Sequence, residues 1–158
     1  MANTQSMCTS FLSELMTATH NFGVAPTRGS STADTFKGAL YLTTATINAS
    51  TTAYSATGEV TGTNYTAGGV AITNATAPAS TNTSSTAGVG YWTPSASITY
   101  TSVTLSTAFD TMLLYNSTQS NKAVSVHTFG SQTITAGNFT LTMPSNTTSA
   151  ALLRLSTT

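Results

Sequence analysis

The chain has 158 residues, room for one domain whose core needs neither disulfide nor metal. Only 5% of its residues are charged, four bases against four acids, where an average soluble domain carries roughly 25%. Cations this few and scattered cannot form the basic stripe that nucleic acid requires, no run approaches the ~20 apolar residues of a membrane span, and a lone cysteine, Cys8, cannot close an internal disulfide.

Taken in chain order, the first segment predicts a helix over about residues 4–20. Met7, Phe11 and Leu15 recur at four-residue steps beside a second row of Cys8, Leu12 and Met16. Gly23 and Pro26 stop it, so residues 1–24 read as a helix and turn. That apolar stripe suits either the chain's own core or another subunit. Residues 25–158 read as a single β domain, because β-branched and aromatic residues dominate and Gly, Asn, Ser and Pro punctuate them about every ten positions.

A first strand is predicted over residues 36–42, then a polar loop over 48–56. Two short strands follow, over 58–65 and 70–72, with Gly68 and Gly69 making a tight turn or a bulge between them. Residues 75–88 lack any large apolar side chain and predict an exposed, flexible loop. Strands resume at 89–92 and 98–100, with Val103, Leu105 and Phe109 continuing the apolar positions. The run over 111–115 is almost wholly apolar, as in a strand buried on both faces. A turn is predicted over 116–121. Alternating strands follow over 123–129 and 139–143, and a last strand near 151–155. The expected fold is mainly β: an antiparallel β-sandwich, jelly-roll or immunoglobulin-like, preceded by one N-terminal α-helix.

Ser and Thr supply over a third of the chain. A neutral, charge-poor surface favours association, and suits a protein covered by neighbours better than a free monomer. A low-charge secreted domain is the alternative. The N-terminus shows no cationic segment followed by an apolar run, so no signal peptide is expected and synthesis in a cytoplasm is. On that footing none of the seven Asn-x-Ser/Thr triplets is read as glycosylated.

Catalysis needs titratable groups brought together, and few are available. A dyad of His127 with Cys8 competes with an inert thiol buried in the helix's apolar rows. Glu59 and Asp110 read as turn residues or as partners of Lys37, Lys122 or Arg154 rather than as an acid/base pair. No spacing matches a zinc or calcium site or a phosphate-binding loop, so no catalytic residue, metal or cofactor is expected. Tyr91 and Trp92 read either as core or interface aromatics or as a sugar-stacking platform.

Several stretches are familiar as a group. They are residues 1–5 with Met7-Cys8-Thr9-Ser10-Phe11, Lys37-Gly38-Ala39-Leu40-Tyr41, Thr57-Gly58-Glu59-Val60 with Tyr65-Thr66-Ala67-Gly68-Gly69, and Phe129-Gly130-Ser131-Gln132-Thr133 through Met143-Pro144. Together they resemble a family of small, uncharacterised virion structural proteins of tailed bacteriophages, across most of the chain. The resemblance carries no catalytic residue. It implies a decoration or cement protein on the capsid surface, assembled in the host bacterial cytoplasm. Its partners would be the major capsid protein or other virion subunits, and it would be a homo-oligomer, a trimer being one form open to it, with no nucleic acid or membrane bound. Met7, Phe11, Leu15, Tyr91 and Trp92 are the interface candidates. A tail or head-fibre module that contacts the host surface is the alternative.

Overall fold

The computed structural model describes residues 3–8, 11, 15, 19–20, 22, 34–73, 75–81, 88–95 and 97–156. Eight strands are present among them: β1 (Ser6–Met7), β2 (Phe36–Leu42), β3 (Val70–Ile72), β4 (Ala79–Ser80), β5 (Val89–Trp92), β6 (Ser97–Asn116), β7 (Lys122–Thr142) and β8 (Leu153–Ser156). They form a five-stranded sheet ordered β1-β7-β6-β2-β3 and a three-stranded sheet ordered β4-β5-β8. Every pairing is antiparallel. One buried hydrophobic cluster takes residues from both sheets, including Leu40, Met112 and Val124 from the first and Trp92 and Leu153 from the second.

The β6–β7 hairpin is the frame. Its turn is fixed by backbone chemistry: Ser120 and Asn121 both take positive φ (54° and 59°), and Lys122 N–H donates to Gln119 C=O at 3.1 Å, a type I′ arrangement. The Asn116 side-chain oxygen accepts from the N–H groups of Thr118 and Gln119, tightening the approach to the turn. Near this turn residues 111–116 are buried without interruption, as their apolar run predicts. β2 lies along one side of them, from Phe36 opposite Asn116 to Leu42 opposite Phe109.

The structure corrects the predicted boundaries. The separate strands expected over 98–100, 111–115, 123–129 and 139–143 belong to two continuous strands of 20 and 21 residues. Bulges hid the continuity. The register shifts between Tyr100 and Val103, where Ser102 has φ 51°, and again between Val103 and Leu105, opposite Ala136 with φ 46°. Each extra residue breaks the two-residue alternation that marks a strand in sequence.

Residues 58–65 were expected as a strand and instead make turns with isolated bridges, Tyr41 to Glu59 and Thr63 to Thr104. The segment lies against the sheet too closely for ordinary side chains: a Cβ on Gly62 would sit 2.0 Å from the Thr104 carbonyl oxygen. The glycine pair does make the predicted turn. Gly69 has φ +71°, and a Cβ there would sit 1.7 Å from the Gly38 carbonyl oxygen, so only glycine fits.

The expected N-terminal helix is not seen. Residues 6–7 are strand, pairing Ser6 with Val126 and Met7 with Ser125, and Cys8 N–H continues the zipper onto Val124 C=O at 3.2 Å. Thr4 N–H donates to Ile47 C=O, and Asn3 reaches Leu42, Ile47 and Asp110 through its amide. Tertiary pairing thus replaces the expected helix at residues 6–7, whereas Phe11 and Leu15 have helical backbone and the rest of 9–18 lies outside the described residues. The loop expected over 75–88 likewise contains β4, which pairs Ala79 with Tyr91 and Ser80 with Gly90; residues 82–87 of it lie outside the described residues.

Candidate interaction surface

All five interface candidates line one cavity of about 150 Å³. Met7, Phe11 and Leu15 come from the N-terminal segment together with Phe22. Tyr91, Trp92, Leu153 and Leu155 come from the three-stranded sheet. The lining is apolar and aromatic throughout, with Pro78, Ala79 and Gly90 closing it. Two of the candidates are core residues as much as surface ones. Phe11 is fully buried and Trp92 nearly so. The Trp92 ring lies 4.6 Å from that of Phe22 and 5.5 Å from that of Phe36, and its indole N–H donates to Thr76 C=O at 2.9 Å. A satisfied indole in that position is held for packing rather than for an open sugar platform. Tyr91 is half-buried at the cavity, and Leu155, 54% exposed, stands at its rim.

Phe22, Pro78 and Leu155 are members of this surface that the sequence did not single out. For Leu155 a signal exists, since it lies two positions after Leu153 and so shares that residue's face of the strand. A second, polar hollow of about 370 Å³ is lined by Thr76, Thr93, Ser95, Thr142 and Asn146 among others, and no titratable side chain lines it.

Among the described residues, several groups able to do acid–base chemistry are engaged in hydrogen bonds within the fold. Glu59 is buried, and its carboxylate is fully occupied. Tyr54 Oη donates to Oε2 at 2.7 Å, while Tyr65 Oη (2.7 Å) and Gly68 N–H (2.8 Å) donate to Oε1. Tyr65 Oη accepts in turn from Leu40 N–H. Tyr41, Tyr100 and Tyr115 donate to the carbonyls of Ser55, Gly38 and Gly68. Five of the six tyrosines thus fasten residues 38–68 to one another and to β6. Burial raises all five phenols, with the Glu59 charge adding to it; Tyr54 and Tyr115 are pushed up to about 12, and Tyr41, Tyr65 and Tyr100 further.

Neither carboxylate expected to partner a cation is held that way. Glu59 is met by phenols, and Asp110 Oδ1 accepts from the Asn3 amide and the Thr111 hydroxyl, both at 2.7 Å. Asp34 is buried under the hairpin turn and accepts from Asn116 and Gln119; Asn116 also contacts His20 Nδ1 at 3.1 Å. His127 Nε2 lies 2.8 Å from Ser125 Oγ, and burial lowers the imidazole to about 4. Ser125 is itself buried, so this pair does not offer an exposed nucleophile. Cys8 is fully buried beside β7. Among the described residues, no three His, Cys, Asp or Glu side chains gather as a metal site, and no helix is long and apolar enough to cross a membrane.

No family model, no curated protein and no solved structure matches the chain.

Proposed function

We propose that the chain is a non-enzymatic structural subunit of a bacteriophage virion, a capsid decoration or cement protein that binds and stabilises the assembled shell. The observation that carries this reading is the apolar cavity, which gathers Met7, Phe11, Leu15, Tyr91 and Trp92 from two distant parts of the chain. The chain as a whole is poor in charge and rich in hydroxyls, while the carboxylates described above are tied into internal hydrogen bonds. Such a surface binds by fit and desolvation rather than by chemistry. On this reading the two sheets are the layers of an antiparallel β-sandwich that meet where Trp92 faces Phe36.

The mechanism is linkage. A protein that binds the closed shell and not its free subunits stabilises the shell by an amount that grows with the logarithm of its concentration over its dissociation constant. The major capsid protein is then the partner, and the capsid surface the location. The test is co-sedimentation with particles assembled without the chain. Saturation at a fixed ratio to the shell subunit, with a shell that resists more heat, is the expected result. Saturation at a few copies per particle would instead place the chain in a tail or head fibre that touches the host. Tyr91 at the cavity favours that second reading, since a partly buried phenol suits adaptable recognition.

A further inference from the structure

Among the described residues, the outer edge of β7 is paired only at its start. β1 pairs with it at Ser125 and Val126, and beyond Val126 no described strand lies on the side away from β6. Among the described residues, the outward-turned backbone N–H and C=O groups of positions 130–142 therefore have no strand partner, while Thr128 is still met by the Gln5 side chain. Natural proteins blunt such edges with lysine, proline or an inward-pointing charge. From Ala123 to Thr142 this strand has no charged residue and no proline. Its main irregularities are the bulges, and past the one at Ala136 residues 139–142 run in unbroken register with β6. There Phe139 and Leu141 are half-buried on one face, and Thr140 and Thr142 are exposed on the other.

We propose that this edge is where a second copy of the chain adds, the two β7 strands pairing antiparallel about a two-fold axis. The occupant must be extended backbone, because only a strand matches donors and acceptors at this spacing. Two-fold pairing brings a strand against itself, so any charge on it would face its like. From Ala123 onward this strand has none to oppose, and the chain's net charge of zero adds no repulsion at longer range. Threonine meets threonine on the outer face, as Thr99 and Thr140 already do at 3.0 Å across the hairpin. On the other face the two copies of Phe139 and Leu141 meet. Phe139 is already held on a rigid platform, 5.1 Å from both Phe109 and Phe129. This inference does not depend on the virion reading, since the dimer forms with no shell present.

The test is sedimentation of the full chain as wild type, Thr140→Lys, Thr140→Glu and an equal mixture of the two variants. Thr140 is exposed and its hydroxyl bond is at the surface, so both variants should keep the wild-type circular dichroism and melting profile. The wild type should be a dimer, each variant should dissociate about tenfold more readily, and the mixture should regain the dimer. Thr142→Lys serves if Thr140→Lys does not fold. A wild type that stays monomeric up to about 1 mM overturns the proposal. So does a dimer that the lysine leaves intact, or a mixture that fails to restore it.

Discussion

The two ends of the β6–β7 hairpin are built from the same pair of strands, yet they live in different surroundings. Near the turn, residues 111–116 and 123–126 are buried on both faces, with β2 and β1 alongside. At the far end the outward positions Thr99, Thr101, Thr133, Thr135 and Thr140 are exposed, and only inward ones such as Ile98, Tyr100, Val103 and Leu105 are buried. There the flank beyond β6 is met by the Thr63–Thr104 bridge and the stacking of Tyr65 on Tyr100, not by a full strand. The difference is written in the period of the sequence. Where both faces are covered the apolar run is continuous, and where one face is wet it alternates with Thr.

The sharpest way to break this contrast is to delete matched side chains at the buried end. Leu113 is fully buried, so Leu113→Ala should cost ~2–5 kcal/mol, from lost transfer energy plus the cavity left behind. Urea unfolding measures it, with an unchanged slope showing that the denatured state is not the cause. A loss near zero would mean that this end repacks freely and is not a close-packed core.

The Glu59 network should come next. Glu59→Ala strands the hydroxyls of Tyr54 and Tyr65 and the N–H of Gly68, at about 1–3 kcal/mol for each donor left buried and unpaired. Glu59→Gln should cost less. It keeps one oxygen for Tyr65 and Gly68 and turns its amide toward Tyr54, whose oxygen can accept. If glutamine and alanine are equally damaging, the carboxylate's charge rather than its hydrogen bonding holds the tyrosines.

Much of this architecture was legible in the sequence, for reasons that particular residues show. The strand over 36–42 and the doubly buried run at 111–115 stand out because their apolar residues sit in unbroken local patterns. The glycine pair at 68–69 announces its turn because glycine enters the left-handed region without cost, and at Gly69 a Cβ would also strike the Gly38 carbonyl. The length of β6 and β7 was hidden by the bulges at Ser102 and Ala136, where a strand continues through a broken alternation. The extended start of the chain was hidden for the opposite reason. Met7, Phe11 and Leu15 satisfy a helical period, and nothing local reveals that residues 4–8 find backbone partners on Ile47, Val124 and Val126. The cavity was legible residue by residue but not as a place, since its two walls are some eighty positions apart. The partners of Glu59 were not legible because they are the phenols of Tyr54 and Tyr65 and the Gly68 N–H, which carry no charge to flag a pairing.

Two pH dependences follow from burial and separate the regions further. Five phenols are raised, so above pH ~10 the unfolded chain ionises first and stability falls as pH rises. Phenolate absorbance should therefore appear steeply, together with unfolding, rather than as a broad titration around pH ~10. His127 works in the other direction. Its folded value of about 4 lies below the ordinary 6.5, so stability is lost as pH falls through that window and levels off below it. His127→Gln keeps a partner for Ser125 and should flatten the profile there. Identical acid profiles for the two proteins would show that the imidazole is not desolvated.

The smallest effect tests the far end itself. Thr133 and Thr135 are exposed, and neither side chain makes a hydrogen bond within the chain. Replacing either with Ala removes only the modest advantage of a β-branched residue in a strand, so each should cost about 0.5 kcal/mol or less. The comparison with Leu113→Ala then spans the range from open face to closed core along one hairpin. A cost above ~1 kcal/mol at Thr133 or Thr135 would exceed what an uncovered surface substitution produces. Dilution then decides its source. A cost that vanishes when the protein is diluted comes from a second copy seated against the ribbon, whereas one that persists means that a part of the same chain covers this face.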